Sequence, residues 1–243
     1  MSDTSRQEIV NSFYRMRQAL GYLGLLLPLT LILGGLLSVG NVEPSISDYY
    51  HTILRDVFVG TMMSIGIFLI SYTGYRREGT ERVSDDWVTT MAGVFAVLVA
   101  LVPNELRLQA QEVDAVPQQI LGIHNAAFVH YASALMFLSC LAYISLFKFA
   151  RTAKPVRRRI YIACGLAIVV ATLGTIGASV FRIMGSDMQR QFVNDNRIIL
   201  WFEALGVWAF SLSWLTKGRA DLSLIRSLRQ MARSQGKSGS EGR

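Results

Sequence analysis

The chain has 243 residues, 51% of them hydrophobic and only 17% charged, and its 24 Lys and Arg against 17 Asp and Glu leave a net charge of +7. Two cysteines exclude a disulfide framework or a CxxC centre, and no nucleic-acid-binding motif accompanies the positive charge. Kinase, P-loop, Rossmann and G-x-S-x-G signatures are absent as well.

The apolar residues gather into six stretches, over 18–39, 54–75, 87–103, 124–147, 160–181 and 197–215. Each is near the ~20 residues that an α-helix needs to cross ~30 Å of hydrocarbon. The gaps between them sort the basic residues. Arg6, Arg15 and Arg17 precede the first stretch, and Arg76, Arg77 and Arg82 follow the second. Lys148, Arg151, Lys154 and Arg157 to Arg159 follow the fourth, and Lys217, Arg219, Arg226, Arg229, Arg233, Lys237 and Arg243 follow the sixth. Nineteen of the 24 therefore fall in alternate gaps, leaving Arg55, Arg107, Arg182, Arg190 and Arg197 for the others. The positive-inside rule then places both termini in the cytoplasm.

In chain order, Ile9, Val10, Phe13 and Met16 recur at helical spacing and predict a short interfacial helix ahead of the first span. That span is longer than a signal-peptide core and five more follow it, so it reads as retained. Pro28 within it frees a carbonyl and favours a kink. The first outer loop, from Asn41 to His51, has no basic residue and ends in Tyr49, Tyr50 and His51. The second, roughly 104–123, carries Glu105, Arg107, Glu112 and Asp114 and can form an amphipathic element or a lid. The third, roughly 182–196, balances Arg182 and Arg190 against Asp187 and Asp195. Cys140 and Cys164 lie inside spans, where thiols read as small apolar side chains.

In the fifth span Ala163, Ala167, Ala171, Thr175 and Ser179 recur every four residues beside Gly174 and Gly177. Such a ridge lets helices approach closely in lipid, either within the bundle or as a homodimer seam. Beyond the last span, residues 219–233 read as a basic amphipathic helix on the anionic inner leaflet, with Arg226, Arg229 and Arg233 on one side. The Ser/Gly-rich residues 234–243 read as disordered.

Polar chemistry concentrates at the predicted outer end. His51 precedes the second span, Arg55 and Asp56 open it, and His124 and His130 lie in the first turns of the fourth. Glu203 lies about two turns into the sixth. Ser47, His51 and Arg55 share a face if their stretch is helical, and the Ala126–His130–Ala134 ridge turns His130 toward a neighbouring helix. An ionisable group inside a span is costly, which makes Glu203 the leading candidate, with His130, His124, Arg55 and Arg197 as partners by depth. The cluster allows three readings: a structural polar network, a pocket for a lipid headgroup or small polar ligand, or a metal-dependent hydrolytic site. The last would use His51, His124, His130 and Asp56 or Glu203 as ligands and base, zinc favouring such sets. His124 and His130 are six apart and cannot act as an HxxxH pair.

Ser47-x-x-x-His51 resembles the Ser/His element of the alkaline ceramidase and progestin-receptor-like membrane hydrolases. That superfamily has seven spans, a separated Asp and a late HxxxH pair, from all of which this chain departs. A second resemblance covers more of the chain. Six spans, cytoplasmic termini, Pro44-Ser45-Ile46-Ser47-Asp48 ahead of Arg55-Asp56-Val57-Phe58, and His124-Asn125-Ala126-Ala127-Phe128 look like the damage-regulated autophagy modulator/Sfk-type membrane family and its bacterial relatives. The resemblance implies a six-helix bundle associated with lipid handling or membrane organisation, and no catalytic residues to carry over.

The sequence thus predicts an all-α, six-helix transmembrane bundle in a bacterial inner membrane. It comprises a cytoplasmic arm over 1–17, a membrane domain over 18–217, and a tail over 218–243. Short amphipathic helices stand at both ends. The expected function is binding of a lipid or small polar ligand in an outward-facing pocket, without a cofactor and without nucleic acid. The alternative is a membrane-embedded, zinc-dependent lipid hydrolase. A transporter would need discontinuous spans in matching halves, which Pro28 alone does not supply.

Overall fold

The computed structural model describes residues 3–38, 40–74, 84–104 and 115–219, and every regular element among them is helical. The predicted helix over 219–233 and the tail over 234–243 lie outside the described residues from 220 onward, as do 75–83 and 105–114.

Helix α1 spans Asp3–Ser38, joining the predicted arm and first span into one 36-residue element. Nothing between the arm and the apolar run breaks helical hydrogen bonding, and the Thr30 and Ser38 hydroxyls turn back onto the carbonyls of Leu26 and Gly34. Pro28 lies inside the helix, which continues past it. A 3-10 turn, Ser47–His51, leads to α2, Arg55–Ile70. Helix α3, Asp85–Leu101, starts where the Ser84 hydroxyl accepts from the Trp87 N–H at 3.1 Å, a normal N-cap. The short α4, Val116–Leu121, precedes α5, Ile123–Tyr143, which runs on as a π-helical stretch over Ile144–Phe149. Helix α6, Pro155–Met184, has Pro155 in its first turn, where the missing N–H costs nothing. The surface helix α7, Asp187–Asp195, is opened by a capping box between Ser186 and Gln189. Helix α8 spans Ile198–Lys217.

Among the described residues, four helical stretches are long and apolar enough to cross a membrane: Val10–Ser38, Ile123–Phe149, Pro155–Met184 and Ile198–Lys217. Helices α2 and α3 have 16 and 17 residues, which at 1.5 Å per residue gives about 24–26 Å.

The long helices close a ring in chain order: α1 packs on α2, α2 on α3, α3 on α5, α5 on α6, α6 on α8, and α8 back on α1. Inside it lies a core that includes Leu20, Leu27, Leu31, Leu69, Ala96, Ile168, Leu200, Ala204 and Phe210. One end of the ring gathers basic residues. Arg17 donates to the Tyr72 hydroxyl at 3.1 Å, Lys148 pairs with Asp85 at 3.2 Å, and Gln18 and Arg157 reach the carbonyls of Gly218 and Thr216. At the other end the Leu200 N–H donates to the Pro44 carbonyl at 3.0 Å, fastening the 40–46 loop onto the start of α8. Cys140 and Cys164 are free thiols in α5 and α6.

The small-residue ridge on α6 is divided between two roles. Ala171 is buried close to Gly206 of α8, while Thr175 and Ser179 line a cavity.

Candidate functional site

The loop after α1 folds into the end of the ring opposite the basic one, and its residues organise the site. Ile46 donates its backbone N–H to Glu203 Oε2 at 2.6 Å, so the carboxylate in the second turn of α8 holds the loop by its main chain. The next residue, Ser47, meets α5: His130 Nε2 lies 2.9 Å from Ser47 Oγ. His130 Nδ1 lies 2.6 Å from the Val102 carbonyl, just past the end of α3. A carbonyl can only accept, so Nδ1 carries the proton. In the neutral ring Nε2 then offers its lone pair to the Ser47 hydroxyl.

Asp48, only 1% exposed, is the electrostatic centre of this end. Its Oδ1 accepts from Asn104 Nδ2 at 2.6 Å, its Oδ2 lies 2.9 Å from Arg182 Nη1, and its backbone N–H donates to Ser45 Oγ at 3.0 Å. One carboxylate thereby joins the 3-10 turn, the segment after α3, and the last turn of α6. Burial of such a charge is tolerable only with a counter-ion and hydrogen bonds, and Asp48 has both.

These side chains form the polar end of a cavity of about 500 Å³ between α5, α6 and α8. Ser45, Ser47, Asn104, His130, Arg182 and Glu203 line that end, and Leu135, Leu138, Ile176, Val180 and Ile199 line its apolar remainder. Tyr131 and Leu135 of α5, with Ile176 and Val180 of α6, are both lining and exposed, which puts the mouth on the outer flank between these helices. Among the described residues, two buried polar atoms on lining side chains have no protein partner: Asn104 Oδ1 and Thr175 Oγ1. Because Asn104 Nδ2 is committed to Asp48, its Oδ1 must be the acceptor, and it awaits a donor.

Of the residues singled out from the sequence, Ser47, His130 and Glu203 come together here. The 3-10 turn ends at His51 and Thr52 is extended, so Ser47, His51 and Arg55 do not share a helical face. His51 instead sets its Nε2 3.0 Å from the Asn104 carbonyl. Arg55 donates to the Tyr50 hydroxyl at 2.6 Å and lies over that ring. Asp56 and His124 lie on exposed surface. Arg197 turns to Asn41 Oδ1 at 2.8 Å and the Val42 carbonyl, pinning the loop rather than meeting Glu203. Among the described residues, no group of three or more His, Cys, Asp or Glu is placed to hold a metal ion. Sequence reasoning passed over Asp48, Asn104 and Arg182. Asp48 stands among loop residues that read as solvated, and Asn104 and Arg182 sit at helix ends where polar residues need no explanation.

A chain whose described residues are folded into helices, four of them apolar and of membrane length, with a polar-ended cavity opening on its flank, is by class a membrane protein. Neither a protein-family model, nor a curated protein, nor a solved structure matches the chain.

Proposed function

We propose that this is a polytopic protein with six spans and both termini in the cytoplasm, which takes one lipid from the outer leaflet into the cavity between α5, α6 and α8. The observation that carries the reading is the shape and chemistry of that cavity: about 500 Å³, apolar along its length and polar at one end. That volume lies within the usual range for a bound small molecule. A lateral mouth suits a ligand that arrives through the bilayer rather than from water. Arg182 at the polar end is already balanced by Asp48, which favours a headgroup of low net charge. The unpartnered Asn104 Oδ1 at that end favours one that carries a hydroxyl group. Glu203 is a positioning residue that holds the 46–47 backbone over the cavity.

In this reading α2 and α3 are short spans around which the bilayer thins locally. The bacterial inner membrane is the setting that the charge distribution fits.

The test uses protein in nanodiscs and a fluorescent diacylglycerol. Leu135→Trp and Ser179→Trp fill the cavity from opposite walls, and each should weaken binding by about tenfold or more, equivalent to about 1.4 kcal/mol. Val94→Trp, on the exposed face of α3, should leave binding unchanged. Equal binding by all four proteins would remove the cavity from consideration.

A further inference from the structure

We infer that Ser47 and His130 form an acyl-transfer centre that cleaves an ester of the lipid held in the cavity, an inference that rests on the lipid-binding reading above. Three atoms stand in the required order. Ser47 Oγ is 2.9 Å from His130 Nε2, and His130 Nδ1 is 2.6 Å from the Val102 carbonyl. This is the logic of a nucleophile, a base, and a third group that fixes the base's tautomer, with a main-chain carbonyl in the place often held by a carboxylate. Both residues line the cavity, which sets the pair beside whatever fills it. The three residues come from the 3-10 turn, α5 and the segment after α3. No local motif therefore announces them.

The chemistry balances with water as the only co-reactant. Ser47 Oγ bonds to the ester carbonyl carbon as its proton passes to His130 Nε2. The adduct collapses, the bond to the alcohol oxygen breaks, and the alcohol leaves with the proton from His130. Water then adds to the acyl-Ser47 carbonyl, losing its proton to the same nitrogen, and the carboxylic acid departs as Ser47 Oγ is reprotonated. The apolar remainder of the cavity accommodates the acyl chain. A partnered Ser–His pair in an apolar protein interior also serves packing, and the experiment separates the two roles.

Nanodisc-embedded protein is treated with an alkyl fluorophosphonate, whose phosphorus accepts Ser Oγ with loss of fluoride. Intact mass and peptide mapping locate the adduct, and hydrolysis of a long-chain p-nitrophenyl ester is followed in parallel. Wild type should be labelled at Ser47 and hydrolyse the ester. Ser47→Ala should lose both. His130→Asn should slow both by about 10²-fold or more, the usual worth of a positioned base. Leu135→Trp, which keeps the dyad and fills the acyl end, should suppress long-chain ester turnover more than short-chain turnover. Wild type that binds the fluorescent lipid but takes no label at Ser47 overturns the acyl-transfer centre and leaves the lipid site standing. Wild type that neither binds lipid nor takes label removes both. Because the decisive readings are made on wild type, a variant that fails to fold cannot rescue or sink the proposal.

Discussion

Asp48 carries the strongest residue-level consequence. Its side chain is almost wholly buried, paired with a guanidinium that is itself only 16% exposed, and also bonded to Asn104. Removing one partner of such a pair leaves the other charge desolvated, at a typical cost of about 3–5 kcal/mol. Asp48→Ala should therefore lower thermal stability in detergent sharply, and Asp48→Ala with Arg182→Met should recover a substantial part of the loss. Additive losses in the double variant would mean that the pair is not coupled. Glu43, in the loop outside the spans, offers a pH signature. Burial first, then the charge of Asp48, raise its carboxyl above the ordinary value of 4.5, with Arg197 and Arg182 pulling it down. A raised folded value means that the native state keeps a proton the unfolded chain releases, so this group's contribution to stability falls as pH rises through the range just above 4.5. Glu43→Gln should flatten the pH dependence of the melting temperature in that range, and parallel profiles for the two proteins would show that Glu43 does not contribute. In the sequence the Ala126–His130–Ala134 ridge pointed His130 inward, where the structure buries it, and depth within an apolar run singled out Glu203, which lines the polar end of the cavity. The same criterion is blind to Asp48, whose burial comes from a loop folding inward, a non-local event with no periodic signal.

At the scale of elements, apolar length was the readable quantity: each of the six stretches falls on a helix, and among the described residues four of these are long and apolar enough to cross a membrane. Their ends were less legible. Helix α1 absorbs the predicted arm because helical propensity continues across Arg15 and Arg17, and α5 extends through a π-helical stretch that hydropathy does not register. Ser47, His51 and Arg55 would share a face only if their stretch were one helix, and the turn before α2 is a separate 3-10 element. The contact of α2 with α3 is set by two glycines. A Cβ at Gly93 would lie 2.5 Å from the Gly66 carbonyl oxygen and 2.8 Å from the Ile70 nitrogen, and one at Gly66 would lie 2.9 Å from the Gly93 carbonyl oxygen. Backbone cannot yield as a side-chain tip can. Gly93→Val should therefore push α2 off α3 and destabilise the protein by about 1–3 kcal/mol or more. Gly60→Ala, where the added carbon meets nothing within 4 Å, is the matched control. A Gly93→Val protein melting with wild type would mean that the two helices do not pack this closely.

At the scale of the whole molecule, the ring has two chemically distinct ends, and its orientation in the membrane decides which leaflet the polar end of the cavity faces. The structure joins the ends independently of any charge count. Arg17, Tyr72, Asp85, Lys148 and Thr216 meet at one, and Pro44, Asp48, Val102, His130, Arg182 and Leu200 at the other. The charge adds direction, since among the described residues Arg17, Lys148, Arg157 and Lys217 gather at the first end. Under the proposed topology, with that basic end in the cytoplasm by the positive-inside rule, the cavity faces outward. In a Cys140→Ala, Cys164→Ala background, a membrane-impermeant thiol reagent applied to intact cells should modify Asn41→Cys and Ser186→Cys. It should reach Thr152→Cys only after the membrane is opened. Asn41 and Ser186 lie in the loops on either side of the cavity's polar end, and Thr152 follows the π-helical stretch at the opposite one. The reverse pattern would turn the cavity to the cytoplasm and make the inner leaflet its source of lipid. The geometry of Ser47 and His130 would be the same, but the lipid pool they meet would be different.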